Sequence, residues 1–327
     1  MNYNRVIEII FELSGVEQYR FRCDGSSRSY RSSFTAQKSL ASSAENNAEI
    51  SVYNLSGGTV KALIQDYYKY VVTCRVGYEN SSLKTLFSGY LKRVWFTREG
   101  LDKKVTFTVC NLENPFAMRT MTYELSGRTI TCRTMPLNNS GEQTGGGAVN
   151  MQVDSPDVKN AVYGMACLYR DTMYPELEIN LNNIRIKDGL QFEQAERSWS
   201  NQTFSQIMNG LGREFKFTWS IQDNYFFCME DNLPSNQFLQ LPQGIYKLNR
   251  DNLLSSEVVL AGDMGTVQQG FKCSAILDPV LFPGMCIDVD SFVYPEFNNI
   301  YRVHEVSFSG SSYSAEWKMD IQALFNK

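Results

Sequence analysis

"FSGYLKRVWF", Phe87–Phe96, runs into the charged turn "TREGLDKK" and then into "KKVTFTVCNL", Lys103–Leu112. In the last segment Val105, Phe107 and Val109 alternate with Thr106 and Thr108, the period of a strand with one apolar face. Gly100 and Asp102 supply the turn between the two segments. The first segment is apolar on both faces, with Tyr90, Val94 and Phe96 on one and Leu91 and Trp95 on the other. Burial on both sides is therefore expected, with Lys92 and Arg93 at an interface or channel edge.

Upstream, "RVIEIIFEL" and "YRFRCDG" form a hairpin pattern bounded by Gly15 and Gly25. Ile50 and Val52 alternate as a strand. Val60, Leu63, Ile64, Tyr67 and Tyr68 then recur at helical spacing behind Ser56 or Thr59 as cap, and Val72, Cys74, Val76 and Tyr78 return to period two. Residues 1–114 thus read as an antiparallel β unit with one short helix. The stretch 115–198 offers the strand candidates "YELSGRTITCRT" and "LEINLNNIRIKDG" and a loop, "NNSGEQTGGGAV", whose Gly145–Gly147 lack the Lys-Ser/Thr pair of a phosphate loop. At 199–236, Thr203 and Gln206 make a capping box for a helix with Phe204, Ile207, Met208 and Leu211 on one face and Gly212 as its C′ residue. Phe215, Phe217 and Trp219 then alternate, and "IQDN" turns into "YFFCME".

The segment 237–327 repeats the order of the first. "AEISVYNLS" matches "FKCSAILDP", "VTCRVGYEN" matches "GMCIDVDSF", "SGYLKRVWFTREG" matches "NIYRVHEVSFSGS", and "KKVTFTVCNL" matches "AEWKMDIQAL". Two unrelated meanders would also look alike, and that plainer reading stays open.

Composition excludes several functions. With 31 Lys and Arg against 35 Asp and Glu, the net charge of −4 marks no nucleic-acid binder and suits a surface that repels phosphate. No apolar run approaches the ~18 residues of a membrane span, and Glu8 and Glu12 interrupt the start, so synthesis in the cytoplasm without membrane insertion is expected. The 8 cysteines form no CxxC pair and sit among apolar neighbours as buried thiols. The lone His304, on a strand between Arg302 and Glu305, is expected on a polar surface, and neither GxSxG nor HExxH occurs. The pairs Asp288 with Asp290 and Glu230 with Asp231 are expected as solvated faces. No enzyme activity, cofactor or metal follows from these residues.

Three stretches, in this order, resemble the baseplate hub proteins of contractile-tailed bacteriophages, a family related to the hub part of type VI secretion spike proteins. They are "AEISVYNLSGGTVKALI" with "VTCRVGYEN" and "LFSGYLKRVWF"; "TFSQIMNGLGREFKFTWSIQDNYFFCME"; and "LDPVLFPGMCIDVDS" with "NNIYRVHEVSFSGSSYSAEWKMDIQAL". The resemblance implies a mainly β fold with minor α: two tail-tube-like antiparallel β-barrels related by internal duplication, plus smaller α+β inserts. It implies a homotrimer whose six barrels form a pseudo-six-fold ring between a hexameric tail tube and a trimeric spike, around the DNA channel of the virion tail. Tail tube, central spike, baseplate wedge and tape measure proteins are the implied partners, with Lys92, Arg93 and Arg302 at a subunit interface or channel edge. A duplicated module reconciles three-fold with six-fold symmetry. The alternatives are a distal tail protein gripping carbohydrate through Trp95, Trp199, Trp219 or Trp317, and a tail-associated hydrolase.

Overall fold

The structure is a computed structural model that describes residues 4–26, 29–40, 46–65, 67–111, 120–134, 148–175, 177–230, 245–263, 266–291, 293 and 295–324. Met1–Leu40, Ala44–Leu112 and Leu233–Lys327 make one compact unit, and Glu113–Asn232 make most of a second. The fold is mainly β, with strands that are nearly all antiparallel and three α-helices among the described residues.

The first unit opens with the hairpin of β1 (Arg5–Leu13) and β2 (Val16–Cys23). Ser14 and Gly15 both have positive φ (52° and 74°), the two-residue turn that matches strand twist. β1 lies between β2 and the later strand Tyr70–Tyr78, so Val6, Ile7, Ile9, Ile10 and Phe11 are all buried. Glu8, buried in the same run, is met by Arg20 Nη1 at 3.3 Å. The serine-rich stretch is itself a strand, β3 (Ser32–Ser39), which sequence reading passed over because "SSFTAQKS" holds only Phe34 and Ala36 as apolar markers. β4 (Asn47–Tyr53) leads to α1 (Gly57–Gln65), capped by Ser56, whose Oγ accepts from the Thr59 amide at 3.1 Å. β5 (Tyr70–Tyr78), β6 (Lys84–Glu99) and β7 (Asp102–Cys110) follow. The β6–β7 turn is tighter than the sequence suggests, only Gly100 and Leu101 lying outside the strands.

The second unit contains β8 (Met121–Ser126), β9 (Thr129–Thr134), β10 (Ala148–Gln152), α2 (Val158–Met173), β11 (Ile184–Arg185), β12 (Glu196–Gln202), α3 (Phe204–Phe215), β13 (Phe217–Gln222) and β14 (Tyr225–Glu230). Two sheets result, in the orders β10-β9-β8-β12 and β11-β14-β13. α2 was not anticipated, although Asp157 caps it through the Asn160 amide at 2.8 Å and Val158, Ala161, Val162, Met165, Ala166 and Tyr169 form its buried stripe. "LEINLNNIRIKDG" is mostly a turn with the two-residue β11, not a full strand. Gly145–Gly147 lie outside the described residues.

The Thr203–Gln206 capping box forms as expected. Gly212, however, is not the C′ residue. α3 continues to Phe215 and ends on Lys216 in the left-handed conformation (φ 58°), whose amide donates to the Gly212 carbonyl. A Cβ at Gly212 would stand 2.6 Å from the Phe217 carbonyl oxygen, so the glycine serves a close chain approach. Phe215 accordingly ends the helix, and alternation begins at Phe217.

The chain then returns to the first unit as β15 (Tyr246–Leu248), β16 (Leu253–Asp263), β17 (Thr266–Ile276), β18 (Cys286–Val289), β19 (Ile300–Ser311) and β20 (Trp317–Leu324). All thirteen strands of this unit join one sheet. One half runs β3-β4-β7-β6-β5-β1-β2 and the other β16-β17-β20-β19-β18-β15, so a five-strand order recurs, β3-β4-β7-β6-β5 and β16-β17-β20-β19-β18; beyond it β15 joins β18 in parallel where β1 joins β5 antiparallel, and β2 has no counterpart. The halves meet where β3 pairs with β19, from Glu305 opposite Ser39 to Ser311 opposite Ser33.

Candidate assembly interface

β6 and β19 occupy equivalent places and carry the same irregularity. The β6–β7 ladder slips at Lys92, between Leu91 and Arg93, and the β19–β20 ladder slips at His304, between Val303 and Glu305. Beyond the bulge Val94 faces Phe107 as Val306 faces Ile321, and Phe96 faces Val105 as Phe308 faces Met319. The next ladders agree: Ala48 faces Val109 as Phe271 faces Ala323, and Ile50 faces Phe107 as Cys273 faces Ile321. A bulge commonly marks a place where a strand changes partner or bends. The segments aligned by sequence sit one residue out of this register in β6 and β19, which exchanges the two faces.

Both strands lose their first partner along one edge. β19 pairs with β18 through Ile300–Arg302 and then, past the bulge, with β3. β6 pairs with β5 from Lys84 to Tyr90; from Arg93 onward no strand among the described residues pairs with that edge. Burial follows the pairing. Leu86 to Leu91 are buried on both faces as expected, but Phe96 is 49% exposed where its counterpart Phe308 is 1% exposed.

Lys92 is half-buried at the bulge, and the exposed Arg93 holds its guanidinium 4.7 Å over the Trp95 ring. Arg302 is buried, with its strand partner Cys286 beside it. Trp199, Trp219 and Trp317 are buried and Trp95 is half-buried, so no tryptophan offers the open ring a sugar would stack on.

Chemically the described residues are quiet. His304 is half-buried rather than on an open polar surface. Burial lowers its pKa, the Arg302 charge adds to this, and Glu305 opposes it. The unfolded chain therefore takes up the imidazole proton first, and stability is lost as pH falls below the ordinary value of 6.5 towards the folded one. The urea midpoint is expected to drop between about pH 7.5 and about pH 5.5, and His304→Gln to remove that part of the drop. Asp288 is half-buried and Asp290 exposed, where it accepts from Asn298 Nδ2 at 3.2 Å. Glu230 accepts from the Lys187 amide at 2.9 Å, and Asp231 lies outside the described residues. All eight cysteines are buried thiols outside any disulfide, as expected, and burial pushes the Cys23, Cys273 and Cys286 thiols up to about 12. Among the described residues no three metal-ligating side chains cluster, and no helix is long and apolar enough to cross a membrane.

No protein-family model and no curated protein matches the sequence. Solved structures do. A tail protein from Neisseria meningitidis aligns over 98% of this chain and 97% of its own, with TM-score 0.55 and 7% identity. The 43 kDa tail protein of a Shewanella oneidensis prophage aligns over 97% and 96%, with TM-score 0.57 and 9% identity. An Escherichia coli component of the type VI secretion system, described as structurally similar to the T4 bacteriophage tail proteins gp27 and gp5, aligns over 96% of this chain and 76% of its own, with TM-score 0.57 and 9% identity. At such identities the likeness is one of fold, and it extends over both compact units. The chain has a phage tail baseplate hub-like fold.

Proposed function

We propose that this protein is a structural hub of a phage tail baseplate: a homotrimer whose duplicated barrels form a pseudo-six-fold ring joining a hexameric tail tube to a trimeric central spike. The observation that carries this reading is the five-strand order that occurs twice, with the same bulge at Lys92 and His304. One chain with two near-equivalent modules presents six of them in a trimer, which reconciles the two symmetries. The barrels correspond to 1–114 and 237–327, with the middle domain 115–198 and the helix-hairpin module 199–236 between them. Lys92 and Arg93 adjoin the open edge and Arg302 the internal seam, and all three belong to the interface or channel edge in this reading. The fold neighbours, which are tail and secretion-system proteins, support a structural role in the virion tail; tube, spike, wedge and tape measure proteins are the partners this reading assigns. The net charge of −4 suits a channel through which DNA passes without being held.

The test is mass measurement and electron microscopy of the purified protein, alone and with a tube or spike partner. A three-fold ring of six similar lobes is expected. A monomer under every condition would overturn the reading.

A further inference from the structure

The seam inside the chain is a template for a second seam between chains. β3 is to the first half what β16 is to the second: Ala36 lies opposite Ala48 as Val258 lies opposite Phe271, and Phe34 opposite Ile50 as Ser256 opposite Cys273. β19 is likewise to the second half what β6 is to the first. The chain makes the β3–β19 pair by itself. The reciprocal pair, β16 with β6, has both members present and both edges open among the described residues.

We propose that β16 of one copy pairs antiparallel with the outer half of β6 of a second copy, in the register of the internal seam; this rests on the hub reading above. Phe308 opposite Ala36 becomes Phe96 opposite Val258. Ser309 opposite Thr35 becomes Thr97 opposite Glu257, and Ser311 opposite Ser33 becomes Glu99 opposite Ser255. The pairing covers Phe96 as Ala36 covers Phe308. It sets no like charges directly opposite, and Glu99, diagonal to Glu257, is already held by Lys104 Nζ at 2.9 Å.

The occupant is a second copy because the two open edges differ from each other and match each other's internal counterparts. Such a contact is head-to-tail and closes into a ring when the rotation allows. Another edge of the sheet, β2, shows what an edge built to stay unpaired looks like: Glu17, Arg20 and Arg22 stud it, whereas Leu253, Leu254, Ser255 and Ser256 begin β16 without a charge. Leu254 is 58% exposed.

Directly opposed residues of an antiparallel pair have Cα atoms about 4.5–5.5 Å apart, within disulfide reach. Thr97→Cys and Glu257→Cys, both at exposed positions, are expected to cross-link under mild oxidation; Glu257 lies opposite Lys272, one position along from the Ser256–Cys273 pair and so on the other face of the ladder. Mixed single variants are expected to give disulfide dimers, the double variant dimers and trimers, and either single variant alone neither. Arg98→Cys with Glu257→Cys, on opposite faces, is expected to stay unlinked. Hydrogen exchange gives a readout without substitutions: amides of 93–99 and of β16 gain protection when light scattering shows the oligomer. An oligomer of the expected mass without cross-link or protection overturns this pairing and leaves the hub reading standing. A monomer at every concentration overturns both.

Discussion

Trp219→Ala is expected to destabilise the second unit by about 3–5 kcal/mol, the cost of deleting a large aromatic from a packed core. Trp219 is 1% exposed and packs edge-on to Phe204 at 5.7 Å, with Phe226 at 6.2 Å. Phe204 in turn stacks on Tyr169 of α2 at 4.2 Å, so the cavity opens where two helices and a sheet share their rings. Trp219 Nε1 also donates to Asn209 Oδ1 at 2.8 Å, and removing the donor leaves that acceptor to find water. Native-state hydrogen exchange should show protection in α3, β13 and β14 falling about 10²-fold or more. Protection in these elements equal to wild type would mean that the Trp219 cluster is not their core.

Phe11→Ala is expected to cost a similar ~3–5 kcal/mol in the first unit. Phe11 has no exposed surface and is met edge-on by Phe21, Tyr70 and Phe107, with ring centroids at 5.8, 6.1 and 5.0 Å. Those rings come from β2, β5 and β7, so one side chain ties together strands that the chain builds far apart. The urea midpoint of the first unit is the measurement, with the slope unchanged if only packing is lost. Phe11→Leu, which keeps most of the volume, should recover more than half of the loss; if it does not, ring geometry rather than volume governs the site.

Periodicity made much of the fold legible. The β6–β7 hairpin, the β1–β2 hairpin and the capped helix at Thr203 are local structures whose patterns lie within some twenty consecutive residues, and each was found where its pattern stood. What escaped was of two kinds. β3 is a strand whose residues are largely small or polar because its work is lateral pairing, which backbone performs without a hydrophobic signature, and β16 gathers its apolar residues in two runs, Leu253–Leu254 and Val258–Leu260, with no alternation between them. α2 was hidden by expectation: its Val158, Ala161, Val162 and Met165 stripe is regular, but it follows a glycine-rich loop in a stretch read as strands. Lys92 and Arg93 stand out in the sequence because two charges interrupt an apolar strand, yet nothing local announces the bulge between Leu91 and Arg93. Register across a duplication is set by pairing partners, and a one-residue slip cannot be seen in segments of such low identity.

The β3–β19 seam also orders events during synthesis. Gln37 donates to Glu305 Oε1 at 2.7 Å across a separation of 268 residues. At cellular rates the ribosome needs on the order of tens of seconds to cover that distance. Throughout this time β3 has emerged and its mate has not, so the nascent chain carries an unsatisfied row of amides and carbonyls beside a finished hairpin partner, β4. Neighbouring nascent chains on one message would find that row before β19 does. The seam is thus a timer as well as a joint: β3 stays open to other chains until β19 leaves the ribosome.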